Sequence, residues 1–135
     1  MSRFPSPPEF FVDRSLGRRQ VPEALRASGW LIQTHFDVFE GRDESVLDIE
    51  WLEMCGREGI PVLSKDKRLR YRRDEVAAIR RHGVKAFVLT RGGLRSAEQI
   101  SRFEHNRDAI FAACSEPGPF LYAVHADRIV RVFPR

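Results

Sequence analysis

The chain has 135 residues, of which 42% are hydrophobic and 31% are charged, and it carries a formal net charge of +4. This composition predicts one folded domain and excludes disordered, collagen-like and low-complexity chains. The uncharged apolar runs are short, with six residues at 109–114 and five at 120–124, whereas a membrane span needs about 20. Two cysteines form no disulfide framework, and the first residues lack the apolar core of a secretory signal. We therefore expect a soluble protein of the cytoplasm with no membrane partner.

Proline and glycine residues divide the chain into a leader and a series of alternating strands and helices. Residues 1–8, with three prolines, predict a flexible leader, and residues 9–135 predict a single domain. In chain order we expect a strand at 9–13, then Ser15-Leu-Gly and a helical stretch through about 28, a strand at 30–36, a loop at 37–43, a helix at 44–58 and a strand at 60–64. A basic loop follows, and after it we expect a helix at 74–81, a strand at 84–90, a long helix from 96 to about 114, and strands at 120–124 and 128–133.

Strands that alternate with helices of this length are typical of βαβ units. In such units the successive strands lie parallel, and the connecting helices cover both faces of the sheet. Ser96 followed by Gln99 is the signature of a capping box and marks the start of the long helix. The sequence therefore predicts an α/β protein with a three-layer α/β/α architecture, a mostly parallel central sheet and a C-terminal β-hairpin.

Basic charge is concentrated in the middle of the chain. Residues 61–95 contain eleven lysines and arginines against three acidic residues, whereas residues 1–60 contain seven against eleven. The densest part is 65–73, where six of nine residues are basic. Most such runs are solvated loops, but clustered cations are also what binding to a nucleic acid backbone requires. As a phosphate-binding surface, this loop would act through Lys65, Lys67, Arg68 and Arg70.

Three aspartates are expected at one edge of the predicted sheet. Asp13 ends the first strand, Asp66 follows the third, and Asp48 lies on the helix after the second. The carboxyl ends of parallel strands form the functional crevice of such folds. Each acid alone is explained as a turn or helix-capping residue, but three carboxylates together repel one another unless a proton or a cation intervenes. Because oxygen ligands favour Mg²⁺ or Mn²⁺, the pattern predicts a metal site and, beside the basic loop, a nuclease.

The sequence around these acids resembles the PIN domain. The resemblance rests on Phe-Val-Asp13 and on the block from Asp48 to Asp66, with Glu-Trp-Leu inside it and Lys-Asp-Lys-Arg-Leu-Arg at its end. It extends from residue 9 to about residue 91 and is closest to the compact PIN-like subgroup of VapC-type toxins. It implies an endoribonuclease that depends on Mg²⁺ or Mn²⁺, hydrolyses RNA phosphodiester bonds, is held inactive by a cognate antitoxin, and forms a homodimer in many members.

The resemblance also implies roles for individual residues. The metal-binding catalytic acids of the family match Asp13, Asp48 and Asp66. Many members carry a fourth acid, usually a glutamate on an additional helix, for which this chain offers Glu23, Asp43 and Glu44. A second interpretation stays open, in which a PIN-like module binds RNA or a protein partner without catalysis.

Overall fold

The computed structural model describes residues 7–42 and 46–134 of the chain. The strands in these ranges are β1 (Glu9–Val12), β2 (Leu31–Thr34), β3 (Val62–Ser64), β4 (Lys85–Val88), β5 (Phe120–Val124) and β6 (Ile129–Phe133). The α-helices are α1 (Gln20–Ala27), α2 (His35–Val38), α3 (Asp48–Glu58), α4 (Arg73–His82), α5 (Ser96–His105) and α6 (Arg107–Ala113). Two short 3-10 helices occupy Arg14–Leu16 and Lys67–Arg70.

The six strands form one sheet in the order β2-β1-β3-β4-β5-β6. Each neighbouring pair from β2 to β5 is parallel, and β5 and β6 are antiparallel. The predicted mostly parallel sheet and C-terminal β-hairpin are thereby confirmed. Because β1 is flanked by β2 on one side and β3 on the other, the direction of strand order reverses beside β1. In open α/β sheets a ligand site forms in the crevice at such a reversal.

Two hydrophobic cores lie on opposite faces of this sheet, because successive side chains of a strand point to opposite sides. Phe10 of β1 packs with residues of α1, α5 and α6 in one core. Its neighbour Phe11 packs with residues of α3 and α4 in the other core. Both phenylalanines are fully buried. Helices therefore cover both faces, and the predicted three-layer α/β/α architecture is confirmed.

The prediction of one continuous helix from 96 to about 114 is wrong, since α5 and α6 meet at Asn106. The Asn106 side chain donates hydrogen bonds of 2.8 Å to the carbonyl oxygens of Arg102 and His125. Asparagine competes in this way for nearby backbone groups and interrupts helices. The hydrogen bond to His125 also links the break between α5 and α6 to the turn that follows β5.

Two capping interactions move other boundaries from their predicted places. The second strand ends at Thr34 rather than at 36, because the Thr34 hydroxyl accepts the backbone N–H of Asp37 at 3.0 Å and begins α2. The Asp37 carboxylate accepts the Thr34 N–H in return, at 3.2 Å. At the start of α5, Glu98 takes the capping role predicted for the residues at 96 and 99, by accepting the backbone N–H of Arg95 at 3.2 Å.

The helical stretch predicted after Ser15-Leu-Gly and the helix predicted at 44–58 are both shorter in the structure. Helix α1 begins at Gln20, after the 3-10 helix, and α3 begins at Asp48. Part of the predicted loop and helix, residues 43–45, lies outside the described residues, as do residues 1–6 of the predicted leader. The division into a leader and a single domain stays a prediction. None of the helices in the described part of the chain has the length and apolar character needed to span a bilayer.

Helices α3 and α4 approach each other closely at Gly56. A Cβ atom at this position would overlap the carbonyl oxygen of His82 on α4 and would lie 2.5 Å from the His82 Cβ. The absence of a side chain at Gly56 therefore lets these two helices pack at their observed distance.

We expect Gly56→Ala to lower the free energy of unfolding by about 1–3 kcal/mol, the usual cost of overpacking. This cost outweighs the gain of about 1 kcal/mol that alanine has over glycine in a helix. Gly92→Ala is the control, because a Cβ there would meet the Lys67 Nζ at an ordinary 3.7 Å. Urea unfolding of the three proteins measures the difference. A Gly56→Ala variant as stable as the wild type would contradict the close approach.

Candidate metal centre and basic cleft

Three acidic side chains from three different elements meet at the carboxyl edge of the sheet. Asp48 is the first residue of α3, Asp66 lies two residues after β3, and Glu75 lies in the first turn of α4. One carboxylate oxygen from each residue lies within 4.8 Å of the other two. The packing of α3 against α4 and the end of β3 bring these positions together. These three side chains form the acid cluster.

The hydrophobic core orients the carboxylate of Asp48. The indole Nε1 of Trp51 donates a hydrogen bond of 3.0 Å to Asp48 Oδ1. Trp51 is almost completely buried and stacks on Phe11 of β1, with ring centroids 5.3 Å apart. Residues three apart in a helix lie on the same side, which allows this contact. A tryptophan that packs on the sheet therefore fixes a carboxylate at the edge of the sheet.

Local backbone geometry orients Asp66. Its backbone N–H donates to Ser64 Oγ at 2.9 Å, and its Oδ1 atom accepts the backbone N–H of Arg68 at 3.1 Å. Asp66 thereby caps the 3-10 helix Lys67–Arg70. Aspartate is favoured at such positions because its short side chain reaches the exposed amides of the first turn. The capping turn leaves Asp66 Oδ2 directed toward the acid cluster.

Glu75 is the member of the acid cluster that the sequence analysis misses. Its side chain is only 8% exposed. Burial, together with hydrogen bonding to Asp48, raises the pKa of Glu75 to about 7. The candidates for a fourth acid lie elsewhere, since Glu23 is exposed on α1 and residues 43 and 44 are outside the described residues. In the sequence, the signal for Glu75 is that an acidic residue stands in the first turn of the helix that follows the basic loop.

A guanidinium group lies among the three carboxylates. Arg72 Nη1 is 2.9 Å from Asp66 Oδ2, 2.9 Å from Glu75 Oε1 and 3.5 Å from Asp48 Oδ2. The hydrogen bond to Glu75 and the negative charges of all three acids raise the pKa of Arg72. The cation offsets the repulsion among the carboxylates. In the sequence, Arg72 belongs to the basic run and has no predicted role of its own.

Asp13 lies beside the acid cluster and is not a member of it. It directly follows β1, is buried, and accepts the backbone N–H of Ser15. Burial raises the pKa of Asp13, and the charge of Asp48 adds to the rise. The hydrogen bonds from Ser15 and Ser64 lower the pKa but do not cancel the effect of burial. The structure thus groups two of the three predicted metal ligands, Asp48 and Asp66, with Glu75. A metal-binding role for Asp13 stays a prediction.

A cleft of about 280 Å³ opens next to the acid cluster. Asp66 belongs to its lining, so the cleft and the acid cluster share a residue. The cations that line it are Lys65, Lys67, Arg68 and Arg91. Four cations around one depression favour a polyanionic ligand. This depression is the basic cleft.

Three of the four cations predicted to bind phosphate line the basic cleft, and their phosphate binding stays a prediction. Arg70 does not line it, and its guanidinium lies 4.7 Å from the ring centroid of the exposed Tyr71. Arg91, from the turn after β4, is a cation that the sequence analysis does not select. Arg91 reaches the cleft because β3 pairs with β4. This pairing brings the loops after the two strands, which are distant in sequence, to the same edge of the sheet.

The raised pKa of Glu75 predicts how stability depends on pH in metal-free buffer. In the folded protein, Glu75 holds its proton more tightly than a glutamate of the unfolded chain does. This protonation therefore stabilises the folded state fully below about pH 4.5, and the stabilisation is lost as the pH rises through about 7. The unfolding free energy of the wild type should therefore decline between about pH 5 and pH 8. We expect this decline to be smaller by roughly 1–3 kcal/mol in Glu75→Gln, which has no proton to lose at this position.

Urea unfolding at both pH values measures this decline. Asp74→Asn is the matched control, because it changes the neighbouring exposed acid in the same turn of α4. A Glu75→Gln variant whose stability falls as steeply as that of the wild type would contradict the assigned environment of Glu75.

Comparison with known proteins identifies the family of this chain. The profile of the family described as PIN like domain matches residues 8–91, which include β1 to β4 and the acid cluster. The chain is 35% identical over 123 residues to a Mycobacterium tuberculosis (strain ATCC 25618 / H37Rv) protein named "Putative ribonuclease VapC45", covering 90% of this chain and 89% of that protein. No solved structure matches the chain. The resemblance to VapC-type PIN-like proteins is confirmed, and this chain belongs to the PIN-like domain family.

Proposed function

We propose that this chain is a metal-dependent endoribonuclease, the toxin of a toxin–antitoxin pair, and that it hydrolyses RNA phosphodiester bonds. The observation that carries the proposal is the acid cluster at the rim of the basic cleft. Such a site pairs carboxylates for a divalent ion with cations for a phosphate backbone. Membership of the PIN-like family and similarity to a relative named as a ribonuclease support the same reaction.

The donor set fits Mg²⁺ or Mn²⁺. Asp48, Asp66 and Glu75 offer carboxylate oxygens close enough together to share one ion. Both ions prefer oxygen ligands and leave positions for water and phosphate oxygens. Asp13 stays in the proposed metal site with them, because the family resemblance matches it to a metal-binding acid and it directly follows β1 at the same edge of the sheet. When bound, the ion would supply the Lewis acidity that activates water and stabilises charge on the departing oxygen.

The cations of the basic cleft would bind the substrate. Lys65, Lys67, Arg68 and Arg91 line the cleft beside Asp66. Contacts to phosphates fix the register of a nucleic acid strand but select no sequence. Arg70, outside the cleft, would contact the strand farther along. These residues would therefore hold the scissile bond at the acid cluster.

Buried polar residues would keep the acids in place during the reaction. The hydroxyl of Ser15 accepts the backbone N–H of Lys65 at 3.0 Å and lies 3.3 Å from the Ser64 hydroxyl. Both serines also hydrogen-bond to Asp13. This network joins the end of β1 to the loop that carries Asp66, so the acids at the ends of β1 and β3 are held by one set of contacts.

The proposed activity also implies partners. An active ribonuclease degrades the RNA of its own cell, so we propose an antitoxin protein that binds and inhibits this chain. The resemblance to VapC-type toxins supports this partner, and a homodimer stays a prediction from the same resemblance. Because the proposed substrate is cellular RNA, the proposed place of action is the cytoplasm.

Asp66→Asn tests the metal site directly. The amide removes the negative charge but can still cap the 3-10 helix, so the variant is expected to fold. Even residues that only support metal ligands change affinity or activity by about 10–100-fold. We therefore expect Mn²⁺ binding, measured by calorimetry, and Mn²⁺-dependent cleavage of a synthetic RNA to fall at least about 100-fold. Asp74→Asn, the same change outside the acid cluster, is expected to behave as wild type.

Two results would count against this proposal. Equal RNA degradation by wild type and Asp66→Asn, purified in parallel, would assign the degradation to a contaminating enzyme. RNA binding by the wild type with neither Mn²⁺ binding nor cleavage would favour the non-catalytic PIN-like module.

The basic cleft predicts a salt-dependent affinity for RNA. For single strands, the slope of log affinity against log salt is about −0.7 per neutralised phosphate, so removing two contacts should make it shallower by roughly 1.4. The variant is Lys67→Ala with Arg68→Ala, in an Asp66→Asn background that prevents cleavage. Arg57→Ala is the control, because Arg57 pairs with Glu53 on α3 and does not line the cleft. Anisotropy titrations between about 50 and 200 mM salt measure the slope, and an unchanged slope would refute phosphate binding by this loop.

A further inference from the structure

One nitrogen of Arg72 contacts every carboxylate of the acid cluster. We propose that Arg72 is the resident counter-cation of the acid cluster: it holds the three carboxylates together without a metal ion, and it leaves them when a divalent ion binds. This inference rests on the proposed function, because it concerns the metal site proposed there. Arg72 is then a positioning residue that sets metal affinity, and not itself a ligand.

Arg72 contacts the oxygens that a metal ion needs. Oδ1 of Asp48 accepts the Trp51 indole N–H, and Oδ1 of Asp66 accepts a backbone N–H of the 3-10 helix. The Oδ2 atom of each aspartate contacts Arg72 instead. A Mg²⁺ ion would lie about 2.0–2.1 Å from such oxygens. Arg72 Nη1 lies 2.9 Å from Asp66 Oδ2 and 2.9 Å from Glu75 Oε1, so it fills the space between oxygens that would share the ion. The two cations therefore exclude each other.

The place of Arg72 in the chain indicates that the acids hold it there. Arg72 is the N-cap residue of α4 and makes no side-chain capping bond. Serine, threonine, aspartate and asparagine are preferred at this position. A cation is disfavoured there, because the helix dipole presents positive charge at the N-terminus. The contacts with Asp66, Glu75 and Asp48 offset this unfavourable position.

Arg72 is able to leave the acid cluster without unpacking the core. Its side chain is 40% exposed, whereas that of Glu75 is 8% exposed. Rotation about its side-chain bonds takes the guanidinium into solvent, while the core contacts of Trp51 and the capping turn of Asp66 keep the carboxylates in place. Replacement of one cation by another keeps the charge of the cluster compensated throughout.

The test compares Arg72→Gln with Arg73→Gln, which removes the same charge from the exposed next residue. Calorimetry on the full chain, without RNA, measures Mn²⁺ affinity, and urea unfolding with a chelator measures metal-free stability. Because charge-assisted hydrogen bonds to the acids no longer have to break, Arg72→Gln is expected to bind Mn²⁺ about tenfold more tightly than Arg73→Gln. Without metal it is expected to unfold at a lower urea concentration, and saturating Mn²⁺ should remove that difference.

Arg72→Lys is a second test variant, to be used if Arg72→Gln does not fold without metal. Lysine keeps the charge, but its compact ammonium lacks the planar fork with which a guanidinium spans several carboxylates. We expect its Mn²⁺ affinity to lie above that of the wild type and below that of Arg72→Gln.

The outcomes separate this inference from the proposed function. If the wild type binds Mn²⁺ and the Arg72 variants bind it no more tightly than Arg73→Gln, the inference is overturned and the ribonuclease proposal stands. If the Arg72 variants gain Mn²⁺ affinity but no protein cleaves RNA, the inference is supported and the proposed reaction is overturned. If none of the proteins binds Mn²⁺, both are overturned.

Discussion

Electrostatic repulsion among carboxylates that share a small volume is the constraint on which this structure depends. Asp48, Asp66 and Glu75 place three carboxylate oxygens within 4.8 Å of one another. Such a group is stable only if protons or cations compensate it. The structure uses both, since the pKa of Glu75 rises to about 7 and Arg72 lies among the acids. The sheet topology and the packing of α3 against α4 bring the three acids to this place.

The protein fixes each acid through a different kind of neighbour. The hydrophobic core holds Asp48 through Trp51, the backbone of a capping turn holds Asp66, and two serines hold Asp13. Glu75 is held by its burial on α4 and by the hydrogen bond from Arg72. These supports are linked, because Ser64 contacts both Asp13 and Asp66, and Arg72 contacts all three acids of the cluster. Neighbours from several elements therefore hold the acids against their mutual repulsion.

The sequence predicts those parts of the fold and site that depend on local patterns. Asp13 and Asp66 are recognisable because each follows an apolar strand, and the ends of parallel strands share an edge. Glu75 has only a weak sequence signal, its place in the first turn of a helix, because its approach to the other acids depends on the contact between α3 and α4 at Gly56, which couples distant parts of the chain. The interruption at Asn106 is missed for the same reason, since one of its two bonds reaches the turn after β5. Arg72 is one of six similar cations in its run, and only the fold separates it from the rest.

The hydrogen bond from Trp51 to Asp48 makes the indole an intrinsic optical reporter. The electric field at a ring bonded to a carboxylate changes when a nearby cation arrives, leaves or is exchanged. The chain has two tryptophans, and Trp30 lies in the core on the opposite face of the sheet. A change in ultraviolet emission on events at the acids is therefore expected from Trp51, over a background from Trp30, and it requires no attached dye.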